Sequence, residues 1–94
     1  MVNTPEIRID TQDEIKFRIV EYVADYFRRS REIVDIDGAR ILFPQGWGLV
    51  RSSNTQPVLV MRFEAPNDEL LNEYRREVES VVAEAASAVA AGKA

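Results

Sequence analysis

Four apolar runs follow one another between Ile33 and Glu64, joined by connections so short that neighbouring runs must pair as antiparallel strands. Ile33-Val34-Asp35-Ile36 and Ala39-Arg40-Ile41-Leu42-Phe43 flank Asp37-Gly38, a dipeptide that tolerates positive φ at both turn positions and predicts a tight hairpin. Pro44-Gln45-Gly46 makes the next turn, and a strand from Trp47 to about Arg51 follows. Gly46 and Gly48 bracket Trp47, so the backbone there bends or approaches something closely. A polar loop closed by Pro57 then leads into Val58-Leu59-Val60-Met61-Arg62-Phe63-Glu64. The alternation places Leu59, Met61, Phe63 and Ala65 on one face of that last strand, with Val60, Arg62 and Glu64 on the other.

Glu6-Ile7-Arg8-Ile9-Asp10 alternates in the same way and predicts a strand with one wet face. Thr11, with Glu14 three residues on, reads as a capping box opening a helix that runs to about Arg29. On a helical wheel Ile15, Phe17, Ile19, Val20, Tyr22, Val23, Ala24, Tyr26 and Phe27 cover well over half the circumference. Packing on one sheet needs an arc of only about 100° or somewhat more. The excess predicts neighbours on two sides, with Phe17, Tyr22 or Tyr26 partly exposed or covered by a second helix. That second helix starts at a capping Asn67 followed by Asp68 and Glu69, acids that suit the positive end of the macrodipole. Its one-sided stripe is Leu70, Leu71, Tyr74, Val78, Val81, Val82, Ala85 and Val89, and the alanine-rich end, Ala85 to Ala91, is expected to be helical with fraying before Gly92. The order β-α-β-β-β-β-α predicts an α+β fold, an antiparallel sheet with both helices on one face, and one domain over residues 1–94.

Composition narrows the chemistry. With no cysteine there are no disulfides and no thiol catalysis, and with no histidine the commonest general base and metal ligand is missing. A net charge of −4 and a pI near 4.8 argue against a nucleic-acid binder, which needs Lys and Arg to neutralise phosphates. No basic n-region with an apolar run opens the chain, and no apolar stretch approaches the roughly 20 residues needed to span a membrane. A soluble, cytoplasmic domain that binds neither nucleic acid nor membrane is expected.

The segment most suited to chemistry is Gly46-Trp47-Gly48-Leu49-Val50-Arg51-Ser52-Ser53-Asn54-Thr55-Gln56-Pro57. Its loop joins one guanidinium to several hydroxyl and amide donors, a set that suits an anion with three acceptor oxygens, phosphate first. The bland reading is a polar hairpin connection, since Ser, Asn, Gly and Pro occur in turns for local backbone reasons. No helix begins after the loop, so a helix-dipole anion site is excluded, and side chains with loop amides must supply the donors. If they do, the donors of the loop from Arg51 to Pro57 converge on one solvent-open concavity at the edge of the sheet. Elsewhere the ordinary readings prevail. Arg28-Arg29-Ser30-Arg31 neutralises the C-terminal end of the first helix, Trp47 packs rather than stacking on a sugar, and Asp35 and Asp37 are solvated turn carboxylates.

The same residues, followed by Val58-Leu59 and Arg62-Phe63-Glu64-Ala65, resemble the C-terminal domain of the bacterial phosphomannomutase/phosphoglucomutase group of the α-D-phosphohexomutase superfamily. Thr4-Pro5-Glu6-Ile7, Lys16-Phe17 and Asp37-Gly38-Ala39-Arg40 fall where that family has similar runs, so the likeness extends from about Thr4 to about Val82. Its most specific part is Arg-x-Ser-Asn-Thr-x-Pro, with the Gly-Trp-Gly-Leu-Val-Arg lead-in.

The resemblance implies a TATA-box-binding-protein-like arrangement and the fourth domain of a four-domain enzyme that interconverts hexose 1- and 6-phosphates. Arg51, Ser53, Asn54 and Thr55 would hold the non-transferred phosphate of mannose or glucose 1- or 6-phosphate. Pro5 would mark the hinge to the preceding domain. Ser52 stands where alanine is frequent, and Asn54 and Gln56 favour hexose over amino-sugar mutases. The phosphoserine motif, the Mg²⁺-binding aspartate loop and the sugar loop belong to other domains and are not found in this sequence. No catalytic residue and no metal site are therefore expected here, and the chain alone should be inactive. The rival expectation is a free-standing protein-interaction module that uses the broad apolar face of the first helix.

Overall fold

The computed structural model describes residues 1–36 and 38–92; Asp37, and with it half of the expected Asp-Gly turn, lies outside the described residues. In chain order the elements are β1 (Val2–Asn3), β2 (Ile7–Asp10), α1 (Lys16–Arg28), β3 (Glu32–Val34), β4 (Ala39–Phe43), β5 (Gly46–Ser52), β6 (Val58–Ala65) and α2 (Asp68–Ala90). All pairings are antiparallel, in the order β1-β6-β5-β4-β3, with β2 also on β6. The α+β architecture is the expected one.

The added piece is β1. Val2 and Asn3 pair with Ala65 and Glu64, while Ile7–Asp10 pair with Met61–Val58 further along the same edge. Thr4 joins the two segments: its N–H donates to the Phe63 carbonyl at 3.0 Å, and its Oγ1 accepts from the Phe63 N–H at 3.1 Å. A strand this short leaves no period to read, so its pairing shows only in the fold.

Two boundaries moved. The Thr11–Glu14 capping box does not form, and α1 begins at Lys16 with no side-chain cap on Ile15. The reason is competition from the sheet, because Thr11 N–H donates to the Pro57 carbonyl at 2.8 Å and so continues the β2–β6 edge. The Gln12 carbonyl then accepts from Ile15 and Lys16, each at 3.1 Å, and turns the chain into the helix. β3 ends at Val34 rather than Ile36, which is 84% exposed. Asp35 is held by Arg28 at 2.9 Å, beside the end of α1, so the β3–β4 connection is longer than a two-residue hairpin. Gly38, at its end, takes φ +113°, a conformation costly for any residue with a Cβ.

One core lies between the sheet and the helices. Leu59, Met61, Phe63 and Ala65 of β6 are buried, as are Ile41 and Phe43 of β4 and Val50 of β5. Phe43 stacks on Tyr74 of α2 at 4.2 Å and meets Phe27 of α1 edge-on at 6.3 Å. α2 buries Leu71, Tyr74, Val78, Val81, Val82, Ala85 and Val89, with Asn67 Oδ1 capping Leu70 N–H at 2.9 Å. Helix α1 touches α2 as well as β3, β4 and β5, in keeping with its wide apolar arc. Tyr22 is half-buried against the core, while Phe17 and Tyr26 remain 55% and 40% exposed. Val58 and Val60 depart from the strand alternation, being only 7% and 2% exposed on the outer face, and Val60 is the more deeply buried. Its cross-strand neighbours are Arg8 and Arg51, whose aliphatic stems can cover it.

Gly46 opens β5 where a Cβ would stand 2.1 Å from the Glu64 carbonyl oxygen, a backbone atom that cannot swing aside. Gly46→Ala is therefore expected to cost about 1–3 kcal/mol, several degrees in thermal midpoint. A thermal melt unchanged by that substitution would contradict the close β5–β6 approach.

Candidate functional site

The β5–β6 ladder ends at the pair Ser52–Leu59, and residues 53–57 form the connection. Local chemistry fastens this loop. Ser53 N–H donates to the Val58 carbonyl at 3.1 Å, and Val58 N–H donates to the Gln56 carbonyl at 2.8 Å, closing the chain around Pro57. Ser53 Oγ accepts from the N–H groups of Thr55 and Gln56, both at 3.3 Å. This is the hydroxyl-centred turn that Ser favours, and it leaves the Ser53 O–H proton free to be donated. From behind, Thr11 N–H holds Pro57 and Lys16 Nζ donates to the Gln56 carbonyl at 3.2 Å.

Arg51 extends from β5 out of phase with the buried Val50 and is half-exposed. Its Nη2 lies 3.3 Å from Glu6 Oε1, just ahead of β2. The other oxygen of Glu6 is 3.9 Å from Arg8 Nη1, and Arg8 in turn donates to the side-chain carbonyl of Gln56. These ion pairs are exposed, and such pairs contribute only about 0–1 kcal/mol. The Glu6 carboxylate is thus only weakly held at Arg51.

Beside the loop lies a cavity of about 660 Å³. Phe17, Val20 and Ala24 of α1 form its apolar wall, and Arg51, Ser52 and Asn54 border it from β5 and the loop. Of the four residues singled out from the sequence, Arg51 and Asn54 border this space. Ser53 and Thr55 are not among its lining residues; the Ser53 hydroxyl organises the loop amides, and Thr55 is exposed at the loop tip. The expected convergence of all four on one concavity is therefore met only in part. Pro5 sits between the two segments paired with β6 and directly follows Thr4, so rotation at Pro5 would have to release the bonds from Thr4 to Phe63.

The remaining features take structural roles. The Arg40 guanidinium lies 4.6 Å from the Trp47 ring centroid on the outer sheet face. Arg28 is held by Asp25 and Asp35, and Arg31 pairs with Glu77 while lying over Phe43, so the basic cluster is engaged. Among the described residues no group of three or more His, Cys, Asp or Glu side chains is placed to hold a metal ion, and no helix is long and apolar enough to cross a membrane. Sequence reasoning missed Lys16, Glu6, Arg8 and Gln56 as parts of the site. Only Lys16 had a readable signal, a lysine standing in line with Ile19, Val23 and Phe27 on the buried stripe of the helix.

Fold and loop together define a small α+β domain that presents a fastened polar loop beside an open cavity, which Arg51 borders on the loop side and Arg28 with Glu21, Asp25 and Asp35 on the other. Residues 6–81 match the family described as phosphoglucomutase/phosphomannomutase, C-terminal domain. A phosphomannomutase/phosphoglucomutase of Pseudomonas aeruginosa is 45% identical over 75 residues, covering 79% of this chain and 16% of that protein. A phosphoglucomutase of Neisseria meningitidis is 36% identical over 84 residues, covering 86% of this chain and 18% of its own length. The crystal structure of a phosphoglucomutase/phosphomannomutase family protein from Burkholderia thailandensis superposes with a TM-score of 0.68 at 34% identity, over 89% of this chain and 18% of that one. The chain belongs to the phosphoglucomutase/phosphomannomutase family and corresponds to its C-terminal domain. It spans less than a fifth of the length of these relatives.

Ser53→Ala removes the acceptor for two loop amides. The expected outcome is a folded protein less stable by about 0.5–1.5 kcal/mol, with faster hydrogen exchange at Thr55 and Gln56. Unchanged exchange at both amides would contradict the hydroxyl-centred turn.

Proposed function

We propose that this chain is the substrate-phosphate clamp of a phosphohexomutase, gripping the non-transferred phosphate of mannose or glucose 1- or 6-phosphate. The observation that carries the reading is Arg51, half-exposed beside an open cavity at the mouth of a loop whose amides and hydroxyl are already fixed. Arg51 exchanges Glu6 for two parallel hydrogen bonds to phosphate oxygens, and Ser53, Asn54 and Thr55 supply further donors.

Holding the remote phosphate uses binding energy away from the reacting centre to place the sugar. Either phosphate of a bisphosphate intermediate fits the same clamp, so the intermediate can reverse between two half-reactions. The reacting groups, a phosphoserine and Mg²⁺, belong to the other domains of the same cytoplasmic enzyme, and this chain contributes no catalytic residue. Closure in the full-length enzyme turns on the chain entering this fold, with Pro5 as the proposed hinge. The exposed Phe17 is what a free-standing interaction module would rest on. The match to the C-terminal domain of longer mutases favours the clamp.

The isolated chain should show no conversion of mannose 1-phosphate to mannose 6-phosphate in a coupled assay. It should bind hexose phosphate weakly, with Kd on the order of millimolar, because a few charge-assisted bonds must offset the cost of association. In the full-length mutase Arg51→Ala is expected to cost about 2–4 kcal/mol in kcat/KM, and Arg51→Lys to recover only part of it because the bidentate fork is lost. Steady-state kinetics with unchanged kcat/KM for Arg51→Ala would overturn the clamp.

A further inference from the structure

Among the described residues Lys16 is the one buried charged side chain, at 2% relative exposure. It occupies a core position, aligned along α1 with Ile19, Val23 and Phe27, each 0–1% exposed. A buried ammonium is costly unless its donors are matched, and an apolar residue of similar volume is often neutral or better for stability. Stability alone therefore does not explain a lysine here.

Its partners indicate another role. Nζ pairs with Asp13 Oδ1 at 2.7 Å, donates to the Gln56 main-chain carbonyl at 3.2 Å, and lies 5.3 Å from the centre of the Phe17 ring. The Gln56 carbonyl already accepts from Val58 N–H, so the ammonium takes its second lone pair. Asp13 belongs to the turn before α1, and Gln56 to the loop after Ser53. One buried cation thus ties the helix entrance to the main chain of the polar loop at Gln56.

We propose that Lys16 is a positioning residue that pre-orders the loop of residues 53–56, and with it the Asn54 amide and the side-chain donors, for phosphate, a proposal that rests on the clamp reading. Lys16 does not touch the ligand; it acts through the Gln56 carbonyl. Without it the loop remains closed by Ser53 and Pro57 but loses its attachment to α1, and binding must then bear the cost of ordering.

The test uses the 94-residue chain with Lys16→Met, which keeps the apolar stem and removes the donor, and Lys16→Arg, which restores charge and donors. Amide NMR follows titration with glucose 1-phosphate, together with hydrogen exchange and thermal melting. The expected result for Lys16→Met is an intact sheet, faster exchange at Ser53, Thr55 and Gln56, and affinity about five- to tenfold weaker, with partial recovery in Lys16→Arg. A folded Lys16→Met with unchanged loop exchange and affinity overturns the proposal and leaves the clamp standing. A wild-type loop that ignores glucose 1-phosphate removes the clamp instead, and the loop exchange of Lys16→Met then decides whether Lys16 orders the loop at all. If Lys16→Met does not fold, the ¹⁵N-ammonium signal of Lys16 in the unmutated chain decides. Slowly exchanging protons coupled to the Gln56 carbonyl support the proposal, and a freely exchanging ammonium overturns it.

Discussion

The register of β5 against β6 sets both the core and the site. Pairing Gly48 with Phe63 and Val50 with Met61 puts the large side chains under the helices, and the same ladder pairs Arg51 with Val60 and Ser52 with Leu59 at its end. A slip of one residue would turn every side chain of β6 over and carry Phe63 to the outer face. It would also change where the loop begins, so that Arg51 no longer stood at its mouth. Gly46 protects the register at the far end, where its backbone and that of Glu64 approach too closely for any side chain. On the other edge of β6, β2 and β1 extend the pairing and bring Glu6 and Arg8 alongside Arg51.

Around the loop the interactions are graded. Behind it lie main-chain bonds and a buried ammonium, and groups of that kind are lost only at a cost of about 1–3 kcal/mol each. In front lie exposed ion pairs of about 0–1 kcal/mol, which an anion can displace. Rigid backing and an exchangeable front suit a grip that must close on phosphate and release it again. Pre-ordering matters more here than contact number, because a small ligand offers few atoms from which to recover ordering entropy.

Much of this was legible in the residues. The apolar stripe of α2, its Asn67 cap and the inward set Leu59, Met61, Phe63 and Ala65 of β6 are local signals that the structure keeps, although Val58 and Val60 are buried on the other face of β6. What failed was local chemistry overridden by long-range pairing. Thr11 has the composition of a cap, yet its N–H serves Pro57, distant in sequence but next to it along the β2–β6 edge. β3 stops at Val34, and Asp35 pairs with Arg28 of α1 instead of extending the ladder. Arg51 and Asn54 were found beside the cavity, whereas Glu6, Arg8 and Lys16 reach the loop from more than thirty positions away in sequence, a relation no short motif encodes. The family resemblance added what physics alone left open, the proposed identity of the anion.

That identity is the central claim, and a side-chain NMR titration of the 94-residue chain tests it most directly. Guanidinium signals of Arg51, the carboxylate carbon of Glu6 and the amides of residues 51–55 are followed against glucose 1-phosphate, inorganic phosphate and unphosphorylated glucose. The predicted result is saturable movement of all three sets with both phosphates, Glu6 shifting as Arg51 leaves it, and no movement with glucose. Equal responses to glucose, or phosphate shifts confined to other surfaces, would contradict the account.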